Sequence, residues 1–500
     1  MSSPASERGY NVPLPAIHWI NDDILLDIFH CYRLDEKNGW NDRLGWCKLS
    51  QVCQRWRHLI YECSSHLGMH IKCTNGSPNV DILDHLTPLP LYLGYFEGGR
   101  TTLTEKDELG LVHALRLHKR VYCISLELPP SILHKVFVLL DGNFPMLEYF
   151  SVRLSAGSKK GLLLTLPKSF LASKLRYLTL PHISPLRRLW VLTSTVALVS
   201  LTLREIQTSS YFRLRLLIAH LSSLPLLERL FIIFSIPIPR PSAERKLLGE
   251  QGAPVTLPSL KILWFKGVGA YLESLVAQIR VPLLARLDIT LYNQISIALL
   301  HLTHLINITV AFRLPSAEVH FDSNEVRIST DDCAYHSLQL LPSPCSLPPF
   351  QLIVLCKPLD WQVDCSTQIC FALIPALSCV ERLGLYQPFY REIPTEWQNG
   401  AIDSTTWHDL LRSFIRVKEL YVDDTLSEEL SRALQVDEVG SDPGFLTNLR
   451  SIQCFDTWDN HLFTSFINAR QVVGRPVVLC ETEADARYEF RPSGDILFWG

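Results

Sequence analysis

The chain has 500 residues, 47% of them hydrophobic and 19% charged, the balance of a globular protein with a large core. Lys+Arg 47 against Asp+Glu 50 gives a net charge of −3. That excludes the broad basic footprint needed for general binding to nucleic acid or anionic membrane, and leaves room only for local basic patches. No apolar run reaches the roughly 18–20 residues of a membrane span, the most hydrophobic window (224–239) being interrupted by Glu228, Arg229 and prolines.

Residues 1–15 read as a disordered lead-in without the apolar core of a signal peptide. With that start, the 14 Cys are most simply reduced thiols, several buried like small hydrophobes, in a cytoplasmic or nuclear protein. The first ordered element is INDDILLDIFHCY (20–32), a helix with Asn21 as N-cap and Asp22 and Asp23 at the positive end of its dipole. Ile24, Leu25, Ile28 and Phe29 form its apolar stripe. A polar loop with two Gly and two Trp follows (33–46). LSQVCQRWRHLI (49–60) then reads as a second helix, with Leu49, Val52, Cys53, Trp56, Leu59 and Ile60 on one side and Arg55 and Arg57 at its solvated rim.

Two sharper readings of this helix fail on geometry. A nucleophilic Cys53 needs a base and an electropositive, accessible setting, and His58 lies about 500° round the helix. A nucleic-acid grip needs Trp56 beside its cations, whereas helical phase turns it toward the apolar stripe. Cys63, His66, His70 and Cys73 are competent zinc ligands, but the spacing matches no standard module. HIKC (70–73) also reads as a strand that sends His70 and Cys73 to opposite faces. Cys365 and Cys370 are not a CxxC pair. With no Walker loop, GxGxxG, GxSxG or HExxH, the sequence calls for no catalytic residue, metal or cofactor.

From residue 121 a short pattern recurs: apolar, two variable, apolar, one variable, apolar. It begins at 121 (VYCISL), 147, 175, 198, 227, 260, 284, 305 (LINITV), 380, 417 and 449. This period suits leucine-rich repeats of roughly 20–29 residues with insertions. The end of each copy alternates as a half-buried strand. Between copies lie helix-capable stretches such as 209–224 and 270–279, where Leu272, Leu275, Val276 and Ile279 share a face. Strand and helix at this period stack into an α/β solenoid with a concave parallel sheet. The variable strand positions should line that sheet: Tyr149, Tyr177, Arg229, Phe231, Trp264, Arg286, Asp288, Glu419, Tyr421, Gln453 and Phe455. Aromatics and Arg are common anchors of protein interfaces, so these are the candidate substrate contacts. One long gap breaks the rhythm. There AEVHFDSNEVRIS (317–329) looks like a hairpin insertion, LPSPCSLPPF (341–350) a loop, and FQLIVLC (350–356) a degenerate strand.

The N-terminal pattern resembles the F-box family: Leu-Pro-x-Glu/Asp-Ile-Leu, x-x-Ile-Phe, a loop, then a Val-Cys-x-x-Trp-x-x-Leu helix. Here these are Ile20 to Leu25, Ile28-Phe29, and Val52-Cys53 with Trp56 and Leu59. The match covers about 20–60, with Asn21 where Pro is usual and a longer loop. Together with degenerate repeats it resembles the expanded F-box families of mushroom-forming fungi. The resemblance implies a substrate receptor of a cullin–RING ubiquitin ligase, a non-catalytic adaptor with no role at membranes or nucleic acid. Ile20, Ile24, Leu25, Ile28, Phe29, Leu49, Val52, Cys53, Trp56 and Leu59 would dock a Skp-family linker, which joins the cullin scaffold, and the repeats would hold a protein substrate. The alternative is a repeat scaffold without ligase activity. The implied organisation is an F-box at 16–66, a connecting segment at 67–120, the solenoid at 121–480 with an insertion near 315–350, and a tail or cap at 481–500.

Overall fold

The computed structural model describes residues 20–34, 45–63, 67, 70–76, 80–83, 89–96, 103–155, 166–181, 191–206, 214–235, 253–292, 299–331, 348–357, 359–387, 404–435, 446–455 and 462–482. The lead-in, the loop over 35–44, His66 and the tail beyond 482 lie outside them. The chain divides into two compact units, residues 1–160 with 166–175, and residues 161–165 with 176–500.

The first unit begins with α1 (Asp22–Leu34), whose first turn carries Asp22 and Asp23. Asn21 precedes it, its carbonyl accepting the helix's first backbone hydrogen bond from Leu25 N at 3.1 Å. The single helix expected over 49–60 is two, α2 (Gly45–Val52) and α3 (Gln54–Glu62), parted at Cys53, which is extended (φ −157°, ψ 170°). Side chains share a helical face only while every residue between them keeps helical dihedrals. The break divides the stripe: Val52 stays outward, while Leu49, Trp56 and Leu59 still meet one core. It would also cost Ser50 its helical donor, a role that Arg57 Nε takes at 3.0 Å. Arg55 is half-buried rather than solvated, and donates to the Ile20 carbonyl (2.6 Å) and to Asp22 (2.9 Å), bracing α3 against the start of α1.

The same unit holds four parallel strands in chain order, β1 (Ile71–Thr74), β2 (Leu91–Phe96), β3 (Val121–Leu128) and β4 (Tyr149–Leu154). Residues 67–120 are thus more than a connector, since they carry the first two strands and the helix Glu105–Arg116. That helix starts on a capping box. Asp107 N donates to Thr104 Oγ1 (3.2 Å), and the Asp107 carboxylate accepts from Thr104 N (3.0 Å). The same buried carboxylate accepts from Gly76 N at 2.8 Å, where a φ of +69° suits a residue without Cβ.

The second unit is built on strands β5 (Tyr177–Pro181), β6 (Ser200–Ile206), β7 (Arg229–Phe234), β9 (Ile262–Gly267), β11 (Arg286–Tyr292), β12 (Ser316–Phe321), β13 (Glu325–Asp331), β14 (Phe350–Leu355), β15 (Arg382–Tyr386), β16 (Glu419–Val422), β17 (Ser451–Phe455) and β18 (Val478–Thr482). Between them, β8 (Val255–Thr256) and β10 (Ile279–Arg280) form a separate two-stranded ribbon. Register aligns the apolar repeat positions into continuous rows. Leu178, Leu201, Leu230, Leu263 and Leu287 stand side by side, as do Leu180, Leu203, Ile232, Phe265 and Ile289. All ten are buried, and each buried Leu contributes about 2 kcal/mol. No one rung could bury this face alone.

Two sequence expectations change here. LINITV (305–310) is not a strand, because the helix Leu300–Ile308 runs through it. Glu273 caps that helix by accepting from the His301 and Leu302 backbone N–H groups, both at 2.8 Å. Leu302 and Ile306, four residues apart, are the ones it buries. The 317–329 hairpin, in turn, is no appendage. β12 and β13 are full members of the sheet, whose order here is β11-β14-β13-β12-β15, and β13 runs antiparallel to both neighbours. FQLIVLC supplies β14, parallel to β11. A period-2 hairpin with two buried edges pairs with whatever open strand lies beside it, so alternation alone could not tell insertion into the sheet from decoration.

Candidate functional sites

The ten N-terminal candidates separate by burial. Leu25, Phe29 and Leu59 form the core of the three helices with Ile60 and Leu67, and Ile20, Leu49 and Trp56 pack against it. The Trp56 indole meets the Phe29 ring edge-on, centroids 4.9 Å apart. Cys53 is half-buried at the break. Three apolar side chains face outward, Ile24 (53% exposed) and Ile28 (45%) on α1 and Val52 (58%) on α2. Ile24 and Ile28 are one helical turn apart, so they stand on one face. Extended Cys53 ends α2 immediately after Val52, which leaves that side chain outward at the helix end. The sequence stripe could not separate these groups, since Ile24 and Leu25 belong to it equally.

The other candidate surface is the face of the second unit's sheet opposite its leucine rows. Strand alternation puts Tyr177, Ser200, Arg229, Ile262 and Arg286 in one row, and Thr179, Thr202, Phe231, Trp264 and Asp288 in the next. Six sequence candidates on β5 to β11 are thereby brought together. Phe231 and Trp264 pack edge-to-face at 5.7 Å, and the Arg229 guanidinium sits 5.3 Å from the Tyr177 ring centre. Arg286 Nε donates to Asp288 at 2.7 Å. Burial raises the Asp288 carboxyl above its ordinary value, with Arg286 pulling the other way, and its second oxygen has no hydrogen-bond partner.

Tyr421 is not part of this group. Five strand steps separate β16 from β11, about 24 Å at the usual spacing. It pairs in register with Gln453 and donates to Glu419 at 2.9 Å, while burial first and Glu419 second push its phenol to about 12. Phe455 ends β17, but its side chain lies outside the described residues. Tyr149 belongs to the first unit, beside a cluster in which His70 packs on Tyr122 (5.1 Å) and Tyr92 (5.7 Å). Cys73 points the other way, into the core. Of the four candidate zinc ligands, His70 and Cys73 thus occupy opposite faces of β1 and its lead, and no metal-competent cluster occurs among the described residues.

Sequence reasoning missed the equivalent positions on the inserted strands. Glu318 and His320 are 3.0 Å apart, Arg327 donates to Glu325 at 2.8 Å, and the His320 ring stacks on Tyr386 at 4.9 Å. The signal was the alternation of 317–329, which marked these residues as one face of a hairpin without showing that the hairpin joins the sheet. Lys266 was also missed, although it stands two residues beyond Trp264 on the same face.

No family model matches the sequence. No curated protein matches it either. Among solved structures, one with a match is the leucine-rich repeat-containing protein LegL7 from Legionella pneumophila, at 12% identity over 61% of this chain and 84% of that one, with a TM-score of 0.22. The repeat architecture rests on the strand register above rather than on that likeness. Among the described residues no helix is long and apolar enough to cross a membrane.

Proposed function

We propose that the chain is an F-box-type adaptor, which docks a Skp-family linker through its N-terminal helices and holds a protein substrate on the face of the repeat sheet opposite its leucine rows. The observation that carries the first half is the outward trio Ile24, Ile28 and Val52. Exposed side chains of this size, on helices that already own a complete core, gain most by burial against a partner. Chemistry on this reading belongs to the ligase. The adaptor makes a substrate lysine and a charged ubiquitin-conjugating enzyme neighbours, lowering the entropic part of the barrier.

The test is co-purification with the linker, using Ile24→Asp with Val52→Asp. These positions are chosen over Leu25 and Trp56, whose replacement would damage the helical core. Wild-type binding that the double variant loses supports the proposal. Failure of the wild type to bind sinks it and leaves the second reading, a protein-binding repeat scaffold outside any ligase. What favours that alternative is the break at Cys53, which divides the docking helix that the F-box resemblance implies.

A further inference from the structure

The sheet face opposite the leucine rows has an uneven charge. Among the described residues of β7, β9 and β11, it presents Arg229, Lys266 and Arg286 as cations, with Asp288 as the acid. The chain as a whole carries −3, so this is a local concentration of positive charge. Arg286 and Asp288 pair with each other through Arg286 Nε, which offsets both and leaves Arg229 and Lys266 as the excess. Arg229 and Lys266 lie over the rings of Tyr177 (5.3 Å) and Tyr292 (5.9 Å), and a ring holds a cation without neutralising it. Farther along the sheet the balance differs, with Glu318, Glu325 and Glu419 set against Arg327 and Arg382 and several paired in place.

We propose that the face of β5–β11 holds an extended acidic peptide segment of the protein partner, with an apolar side chain seated on half-buried Trp264, which is backed by buried Phe231. This names the substrate class for the face already assigned to protein binding and rests on that reading. Spacing supports it. Arg229 and Arg286 are two strands apart in one row, about 10 Å. A peptide crossing the strands in extended form advances about 10 Å in three residues, so acids at i and i+3 meet successive cations. Trp264 lies between the Arg229–Arg286 row and Lys266, where an apolar residue gains burial while its flanking acids stay within reach of Arg or Lys. A single-stranded nucleic acid would share the charge attraction, but the aromatics here pack on one another and on cations rather than standing free to stack bases.

The experiment measures fluorescence anisotropy on the full chain with three labelled probes: a short peptide with Glu at i and i+3 around a central Leu, its Gln-substituted counterpart, and an oligothymidylate. The acidic peptide should bind at least about tenfold more tightly than the Gln version and weaken as salt rises. Arg229→Glu with Lys266→Glu should cost about tenfold or more, and Trp264→Ala a similar amount. The milder Arg229→Gln, Lys266→Gln chain guards against misfolding and should lose an intermediate amount. Ile24→Asp should leave peptide binding unchanged, so that loss of linker docking and loss of this site read out separately. Equal binding of the Gln peptide, indifference to both Arg229/Lys266 variants, or preference for the oligothymidylate overturns the proposal.

Discussion

Ile24 and Leu25 are consecutive apolar residues of α1, and replacing each in turn tests how the three N-terminal helices divide their surface. Leu25 is wholly buried with Phe29, Leu59 and Ile60, so Leu25→Ala removes buried methyl groups and leaves a cavity between helices. That costs about 3 kcal/mol, within the usual range for a core Leu. At 1.36 kcal/mol per factor of ten, local opening should become more than about a hundredfold more frequent. Ile24 is 53% exposed, and surface replacements away from caps and pairs usually stay within about 0.5 kcal/mol. Ile24→Asp should therefore change opening by a factor of about two. Amide hydrogen exchange on peptides from α1 and α3 reads both directly, since protection follows the local opening free energy. Similar loss of protection in the two variants would refute the division into core and outward faces, and with it the choice of docking residues.

Thiol labelling should sort the cysteines by environment. Exposed Cys31 should react first, whereas burial pushes Cys73 to about 12 and raises Cys123 and Cys370 as well, so labelling of these three in the folded chain, followed by mass spectrometry, should be negligible. Gly384→Ala should destabilise by about 1–2 kcal/mol, because a Cβ there would collide with the Tyr386 ring. In a Tyr386→Ala background the same change should cost clearly less, and additive losses in thermal melts would refute the contact. Asp288 has a folded pKa raised above 3.8 by burial. The folded chain thus keeps a proton that the unfolded one releases, and this contribution to stability, full below 3.8, is lost as pH climbs through the raised value. The wild-type Tm minus that of Asp288→Asn should therefore fall between pH 4 and pH 7, and a flat or rising difference would contradict the assignment.

The leucine rows were legible because the same side-chain spacing recurs wherever a rung must bury itself, so Leu230 and Ile232 announce a strand as clearly as Leu263 and Phe265. The break at Cys53 was not legible. Periodicity assumes the helical dihedrals that Cys53 abandons, and the Arg57–Ser50 hydrogen bond across the break is visible only in three dimensions. LINITV satisfies the strand pattern, but a carboxylate well upstream, Glu273, caps a helix over it. The aromatic and basic character of the sheet face was readable from variable positions. Their division was not, because three of the five strands between Trp264 and Tyr421, β12 to β14, come from the long gap in the repeat pattern.

Those three strands bear on how the molecule assembles. In a regular stack each rung needs only the one before it, so order can spread stepwise from any nucleus. Here β11 must wait for β14, made more than fifty residues later, and β15 docks on β12 rather than on the strand that precedes it in the chain. The hairpin and its flanking strands must therefore close as one event, with a loop-closure cost that neighbouring rungs do not bear. During synthesis β11 would present an unsatisfied edge until β14 emerged, so this seam is where rung-by-rung propagation stalls and where a nascent chain is most open to mispairing.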